Sequence, residues 1–243
     1  MRRFGLIGFP LGHSFSKKYF TEKFEKLGIA DCRYENFPIS NIQDIKSILS
    51  ANPALEGLNV TIPYKESVIG YLDEMTDVVK EIRACNCIRI SNGKLKGFNT
   101  DTIGFEKTLL TKLQPSHTNA LILGTGGAAK AVEFVLQKLK IKFKYVSRKP
   151  SVNNFSYEQV TPEIISKHTL IINTTPLGMY PNTVQAPPIP YEELTVNHLL
   201  YDLVYNPEKT LFLEKAEQKG AIIMNGYEML LLQAEESWNI WNS

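Results

Sequence analysis

Hydroxyl, amide, ammonium and carboxylate side chains recur in residues 13–101, at predicted strands or in the loops that follow them. They occur in four groups: His13-Ser14-Phe15-Ser16, Asn59-Val60-Thr61-Ile62-Pro63-Tyr64-Lys65, Asn86, and Asn99-Thr100-Asp101. Open α/β sheets present their ligand contacts in such loops. This set of side chains suits a small, polyhydroxylated, acidic ligand. A lysine beside an aspartate also suits proton transfer to an oxygen as a hydride reaches its carbon.

Each of these residues also has a purely structural interpretation. Ser14 and Ser16 suit helix N-caps, Lys65 a surface lysine, and Asp101 a turn or cap. The residue types alone leave both interpretations open.

A glycine-rich turn forms the second chemical feature. Ala120 to Leu123 is a predicted strand, the next six residues read Gly124-Thr125-Gly126-Gly127-Ala128-Ala129, and an amphipathic helix follows. In this G-x-G-x-x-A pattern the first glycine permits a tight turn, the second lets the backbone approach a pyrophosphate, and the small last residue allows close helix–strand packing. Free N–H groups at the helix start can hold phosphates. The order strand, turn, helix predicts nucleotide binding rather than a glycine turn without a ligand.

The next predicted strand, Lys142 to Val146, distinguishes between nicotinamide cofactors. An NAD site usually offers an acid about 20 residues after the turn, which binds the ribose 2′-hydroxyl. Here no Asp or Glu lies between Phe134 and Tyr157, whereas Arg148 and Lys149 follow the strand. A guanidinium can pair with a 2′-phosphate. The alternative is a solvated basic edge, and we favour NADP.

Composition excludes several other classes of protein. The chain has 243 residues, 43% of them hydrophobic, and a net charge of only +2, so neither disorder nor a nucleic-acid surface is expected. No apolar run approaches the roughly 20 residues of a membrane helix. Three cysteines favour a reducing, cytoplasmic location. Cys85-Asn86-Cys87 resembles half of a metal clip, but no second pair or histidine lies at ligand spacing, so we expect no metal site.

Short apolar runs alternate with amphipathic stretches, as in a βαβ protein with largely parallel sheets. Asn92-Gly93 predicts a hairpin between Cys85–Ile90 and Lys94–Phe98. A loop is expected over Asn99 to Gly104, and a helix near Phe105 to Leu113. The proline-rich segment Pro181 to Pro190 predicts a loop, and Tyr227 to Trp241 a final helix.

Together these motifs resemble the shikimate dehydrogenase family over nearly the whole chain. The motifs that carry the resemblance are the S-x-S at Ser14 and Ser16, Asn59 to Lys65, Asn99-Thr100-Asp101, Gly124 to Ala129, Asn173 to Met179, Tyr201-Asp202-Leu203-Val204-Tyr205, and Asn225-Gly226 leading to Gln233-Ala234. The resemblance implies NADPH-dependent reduction of 3-dehydroshikimate to shikimate, a step towards chorismate and the aromatic amino acids.

The resemblance also implies roles for individual residues. Residues matching Ser14, Ser16 and Tyr205 bind the substrate carboxylate, and those matching Thr61, Lys65, Asn86, Asp101 and Gln233 hold the ring hydroxyls. Lys65 and Asp101 form the implied acid–base pair. The implied cofactor contacts are Gly124, Thr125, Gly126, Gly127, Ala128, Ala129, Ser147, Arg148, Lys149, Thr174, Leu203, Gly226 and Asp77.

The sequence departs from the family pattern at two places. The Pro and His that usually follow S-x-S are replaced by Lys17 and Phe20, so the helix start is expected to differ. The usual N-R-T appears as Ser147-Arg148-Lys149, which retains the arginine. The chain is also short for the family, which suggests trimmed loops.

We therefore expect an α/β protein of two domains. Residues 1–100 with 227–243 form a substrate domain with a mostly parallel sheet, and 101–226 form a Rossmann-type, doubly wound NADP-binding domain.

A small-molecule substrate is the expected partner, without nucleic acid or membrane, and the sequence leaves a monomer and a homodimer both open. The rival functions are a quinate/shikimate dehydrogenase, or a paralogue acting on a related ring acid, and a catalytically silent NADP-binding regulator.

Overall fold

The computed structural model describes residues 1–12, 15–148 and 154–243. The chain forms two compact units, Met1–Thr100 with Gln233–Ser243, and Asp101–Leu232. Both units are α/β, so the predicted fold class is confirmed. No helix in the described ranges is both long and apolar enough to cross a membrane.

The first unit is built on a mixed six-stranded sheet. Its strands are β1 (Arg2–Gly8), β2 (Cys32–Pro38), β3 (Leu55–Val60), β4 (Glu74–Met75), β5 (Cys87–Ser91) and β6 (Lys94–Phe98). Its helices are α1 (Phe15–Lys26), α2 (Ile45–Ala51) and α3 (Asp77–Ile82), with 3-10 segments at Ile42–Asp44 and Ser67–Tyr71. The strand order is β2-β1-β3-β5-β6-β4, and three of its five pairings are parallel. Asn92 and Gly93 have positive φ between β5 and β6, as the predicted hairpin requires.

The second unit has a six-stranded sheet in which each of the five pairings is parallel. Its strands are β7 (Asn119–Leu123), β8 (Lys142–Val146), β9 (Asn154–Phe155), β10 (Leu170–Asn173), β11 (Leu199–Asp202) and β12 (Ile222–Met224). Its helices are α4 (Asp101–Leu109), α5 (Gly127–Lys138), α6 (Pro162–Lys167) and α7 (Leu211–Glu217), with 3-10 segments at Tyr157–Gln159 and Tyr191–Glu193.

The strand order β12-β11-β10-β7-β8-β9 is that of a doubly wound sheet. The chain proceeds from β7 to β8 and β9 on one side, then returns to β10, β11 and β12 on the other. The point of reversal, between β7 and β10, is where such sheets bind ligands at the carboxyl ends of their strands. Apolar side chains from Leu121 to Leu123 are fully buried because helices cover both faces.

The final helix, α8 (Tyr227–Trp241), begins in the second unit and ends in the first. Its last turns are fixed to the first sheet by aromatic packing. The Trp241 ring stacks on Phe4 at 4.9 Å between centroids, and its Nε1 donates to the Ile88 carbonyl at 3.0 Å. A side chain at Gly57 would overlap the same indole, which lies 2.3 Å from the position of an added Cβ. This packing sets the position of Gln233 and Ser237 earlier on the helix.

One predicted boundary is wrong. The sequence predicts a loop over Asn99 to Gly104, but α4 already begins at Asp101. Asn99 donates to the Ala84 carbonyl at 3.0 Å, and the amide of Thr100 donates to Asn86 Oδ1 at 2.7 Å. These long-range bonds fix the chain immediately before the helix, so the first turn starts four residues earlier than the apolar periodicity indicates. The segment 181–190 carries neither helix nor strand, as predicted.

Candidate functional site

Three buried polar residues that are distant in sequence lie together in the first unit. Asn86 Nδ2 donates to Thr100 Oγ1 at 3.0 Å and to Gln233 Oε1 at 3.4 Å. Thr100 Oγ1 in turn lies 3.4 Å from the same Gln233 oxygen. The structure thus brings together Asn86 and Gln233, two of the residues that the resemblance assigns to the ring hydroxyls of the substrate. Thr100 lies with them and is hydrogen-bonded to Asn86.

Thr61 and Lys65 lie in the turn after β3, and their backbone is held against the same region. Val60 N–H donates to the Asn86 carbonyl at 2.9 Å, and Cys85 N–H donates to the Lys65 carbonyl at 2.8 Å. The Thr61 amide donates to Ile7 at 3.0 Å. Both side chains are half-buried. The Lys65 backbone is therefore fixed beside the chain that leads into Asn86.

A further buried group, which the sequence did not single out, supports these residues. The Tyr34 hydroxyl donates to Asn59 Oδ1 at 2.8 Å, and Asn59 Nδ2 donates to Ser237 Oγ at 2.9 Å. Tyr34 also hydrogen-bonds to Ser16, which opposes the upward shift that burial gives the pKa of this tyrosine. Asn59 lies in the motif ahead of Lys65, but Tyr34 and Ser237 stand in ordinary amphipathic stretches and carry no sequence signal.

Ser16 is the second residue of α1 and is buried, whereas Ser14 lies outside the described residues. Asp101 is the first residue of α4 and belongs to the second unit. It is buried, and a carboxylate in a first helical turn is favoured by the helix dipole. Tyr205 is half-buried, and burial raises the pKa of its hydroxyl.

The glycine-rich turn has the geometry that its sequence predicts. Gly124 has φ +106°, and a Cβ there would lie 2.7 Å from Thr174 Oγ1, so the position requires glycine. Gly126 caps α5 without a side-chain hydrogen bond, and a Cβ there would meet no atom within 4 Å. Ala129 is fully buried. The amides of the first turn of α5 are thus available to an anion.

The other cofactor candidates of the second unit follow the carboxyl ends of four parallel strands. Ser147 and Arg148 follow β8, Thr174 follows β10, Leu203 follows β11, and Gly226 follows β12. Two of these ends touch, because a Cβ at Gly226 would lie 2.2 Å from the Leu203 carbonyl oxygen. Thr174 Oγ1 donates to the Leu123 carbonyl at 2.7 Å, immediately before the glycine-rich turn.

Arg148 is exposed. Its positive charge partly offsets the upward shift that burial gives the pKa of the Tyr157 hydroxyl. Since no acid follows β8 before Tyr157, the end of this strand presents a cation rather than a carboxylate. Lys149 lies outside the described residues.

Asp77, the remaining cofactor candidate, belongs to the first unit. It is the first residue of α3, its side chain is almost fully exposed, and it forms an ion pair with Lys80 Nζ at 2.9 Å. This ion pair lowers the pKa of the Asp77 carboxyl through hydrogen bonding and charge attraction.

Within the part of the chain that the structure describes, no group of three or more His, Cys, Asp and Glu side chains could hold a metal ion. The polar groups available are instead hydrogen-bond donors and acceptors suited to hydroxyls and carboxylates, together with an ammonium at Lys65 and a carboxylate at Asp101. Such groups can bind a hydroxylated acid and move a proton.

The chain is similar to known proteins along nearly its whole length. Residues 6–88 match the family model of the shikimate dehydrogenase substrate binding domain. NADP-dependent shikimate dehydrogenases of Methanococcus maripaludis and Staphylococcus aureus are 38% and 39% identical to it, over 98% and 99% of this chain and 90% and 92% of theirs. A shikimate 5-dehydrogenase of Thermus thermophilus, solved in complex with NADP(H) and shikimate, gives a TM-score of 0.87 at 29% identity, covering 99% of this chain and 93% of that chain.

Proposed function

This chain belongs to the shikimate dehydrogenase family, and we propose how its own residues carry out the reversible, NADP-dependent oxidation of shikimate to 3-dehydroshikimate. It is an oxidoreductase acting on a CH–OH group. The observation that carries this function is the near-full-length similarity to NADP-dependent shikimate dehydrogenases.

The second unit would hold NADP at the carboxyl ends of its strands. The pyrophosphate fits the start of α5, where Gly126 leaves the amides of the Gly127–Ala129 turn accessible. Arg148, with Ser147 and Lys149, would bind the 2′-phosphate. Thr174, Leu203 and Gly226 would border the remainder of the cofactor, and Asp77 would be a further contact. When bound, the cofactor supplies the nicotinamide ring that exchanges a hydride with the substrate.

The substrate would be held by neutral polar groups. The hydroxyls of Ser14, Ser16 and Tyr205 would donate to the carboxylate, while Thr61, Asn86 and Gln233 would bind the ring hydroxyls. Asn86 Nδ2 and Gln233 Oε1 already lie 3.4 Å apart, and both side chains are buried. Little side-chain entropy is therefore lost when they bind a ligand.

Lys65 and Asp101 would carry the proton. In the direction of reduction, hydride arrival converts the C3 ketone to an alkoxide, and the Lys65 ammonium stabilises and protonates it. Asp101 would pair with the lysine ammonium and orient it. In the reverse direction neutral Lys65 removes the hydroxyl proton as the hydride leaves. In both directions Lys65 accounts for the proton and the cofactor for the hydride, so no metal is needed.

Turnover of the purified protein with two acids and two cofactors tests the proposal. Formation of NADPH should be fastest with shikimate and NADP. Comparable kcat/KM values for quinate would indicate a quinate/shikimate dehydrogenase. NADP binding without turnover of either acid would indicate a silent regulator, against which the presence of both Lys65 and Asp101 argues.

The cysteines support a cytoplasmic location. All three are thiols that form no disulfide, and each is buried. Free thiols persist in reducing compartments. We therefore propose that the enzyme works in the cytoplasm.

A further inference from the structure

Two fully buried polar residues end neighbouring strands in the second unit. Asn173 is the last residue of β10 and Asp202 the last of β11, and the two are partners in the parallel register. Asn173 Nδ2 donates to Asp202 Oδ1 at 3.0 Å. Neither residue belongs to the set assigned to the cofactor or the substrate.

The Asp202 carboxylate accepts two further hydrogen bonds from the chain that follows it. Val204 N–H donates to Oδ1 at 3.0 Å, and the Thr210 hydroxyl donates to Oδ2 at 2.5 Å. Thr210 is itself the N-cap of α7, where its oxygen accepts from Leu213 N–H. A single carboxylate therefore fixes the course of the chain from the end of β11 to the start of α7.

The Asn173 amide does the same for the chain after β10. Its Oδ1 accepts from Thr175 N–H at 3.0 Å and from the Thr175 hydroxyl at 2.6 Å. Its Nδ2 also lies 3.4 Å from the Leu177 carbonyl. The amide thus closes a tight turn over residues 173–177.

Both turns carry residues that the proposed function assigns to NADP. Thr174 lies between Asn173 and Thr175, and Leu203 lies between Asp202 and Val204, so each candidate is flanked on both sides by bonded residues. Leu203 N–H donates to the Asn173 carbonyl at 2.9 Å. The Leu203 carbonyl in turn meets the backbone of Gly226, whose amide donates to Val204 at 3.1 Å.

We propose that Asp202 and Asn173 are positioning residues for the cofactor: their mutual hydrogen bond and the turns they close hold Thr174, Leu203 and Gly226 in place at the strand ends. The inference rests on the proposed function, because it takes these three positions as contacts of NADP.

A buried carboxylate is a costly choice for such a position. Burial raises the pKa of Asp202 to about 6, although three donors oppose the shift. A buried charge is by itself weak evidence for a stabilising role, because its desolvation opposes the gain from its partners. A carboxylate, however, accepts bonds from a backbone amide, a side-chain amide and a hydroxyl at once, which suits exact placement of several loops.

Two substitutions test the inference. Asp202→Asn keeps the shape of the side chain but replaces one carboxylate oxygen, the acceptor of the Thr210 hydroxyl, by an N–H donor. Thr175→Val removes the hydroxyl that donates to Asn173. Thr108→Val is the control, because Thr108 is a buried threonine of the same unit whose hydroxyl hydrogen-bonds to Tyr201 at 2.5 Å and to no residue of the two turns. For each protein we would measure Kd for NADPH and for shikimate, KM for both substrates, and Tm.

We expect Kd for NADPH and KM for NADP to rise about tenfold in Asp202→Asn and Thr175→Val, because misplacing the strand ends should cost the cofactor about one hydrogen bond. Kd and KM for shikimate should stay within twofold, and Thr108→Val should lower Tm while leaving both Kd values unchanged. NADPH affinity within twofold of wild type in both test variants would overturn the inference, as would equal losses for NADPH and shikimate. If the wild type itself fails to bind NADPH or to oxidise shikimate, the proposed function fails instead.

Discussion

Replacing Gly126 by alanine separates nucleotide binding from folding. Gly126 has φ −81° and ψ −175°, which alanine adopts freely, and an added Cβ meets no atom within 4 Å. Reduced freedom of the unfolded chain favours the variant by roughly 0.4–1 kcal/mol, and the weaker capping propensity of alanine costs about as much. We therefore expect Tm to stay within about 4 °C of wild type, since about 1 kcal/mol moves Tm by 2–4 °C at this chain length.

The effect on NADPH should be much larger. Phosphate oxygens bond backbone amides at about 2.9 Å, whereas a methyl carbon in contact keeps other atoms about 3.5 Å away. The new methyl group would hold the pyrophosphate too far from the start of α5. Loss of one hydrogen bond to a charged group costs about 1.5–3 kcal/mol, which corresponds to at least a roughly tenfold rise in Kd.

Fluorescence titration of NADPH, calorimetric titration of shikimate and a thermal melt measure the three quantities on one preparation. Gly70→Ala is the matched control, because Gly70 lies in the first unit and its added Cβ also meets no atom within 4 Å. We expect Gly70→Ala to change neither Kd. An unchanged Kd for NADPH in Gly126→Ala, with Tm unchanged, would refute the placement of the pyrophosphate at α5.

Three other perturbations address the proton, the 2′-phosphate and a buried charge. Lys65→Ala should reduce kcat at least about 100-fold, the usual scale for a positioned acid or base, whereas the exposed Lys18→Ala should not; near-normal kcat would remove Lys65 from the mechanism. Arg148→Ala should reduce the preference of kcat/KM for NADPH over NADH, and equal use of both cofactors by the wild type would contradict the assignment of the 2′-phosphate. Because burial raises the folded-state pKa of Asp202 from 3.8 to about 6, the folded protein binds more protons than the unfolded chain between these values, and this group makes stability fall as pH rises through them. The unfolding free energy of Asp202→Asn relative to wild type should therefore shift in the variant's favour by about 2 kcal/mol between pH 4 and pH 7; a pH-independent difference in denaturant unfolding would contradict the raised pKa.

Local patterns in the sequence account for much of the second unit. The glycine-rich turn, its flanking strand and its helix depend on residues close in sequence, and Gly124 has the positive φ that its place in the motif requires. Asn92-Gly93 likewise defines its hairpin through backbone preferences of two residues. These features are predictable because the physics that determines them is local.

Long-range contacts account for what sequence patterns missed. The start of α4 depends on hydrogen bonds that Asn99 and Thr100 donate to Ala84 and Asn86, more than ten positions away. The hydrogen bond between Asn59 and Ser237 spans 178 positions, and that between Asn173 and Asp202 spans 29. Helices as short as α3 and α6, six residues each, offer too few turns for periodicity to indicate them.

Isotope transfer tests the proposed reaction most directly. The protein is incubated with NADP and shikimate that carries deuterium at C3, and the reduced cofactor is analysed by mass spectrometry. Direct hydride transfer predicts NADPH that contains one deuterium, formed in equal amount with 3-dehydroshikimate. Reduced cofactor without deuterium, or no reduced cofactor at all, would contradict it.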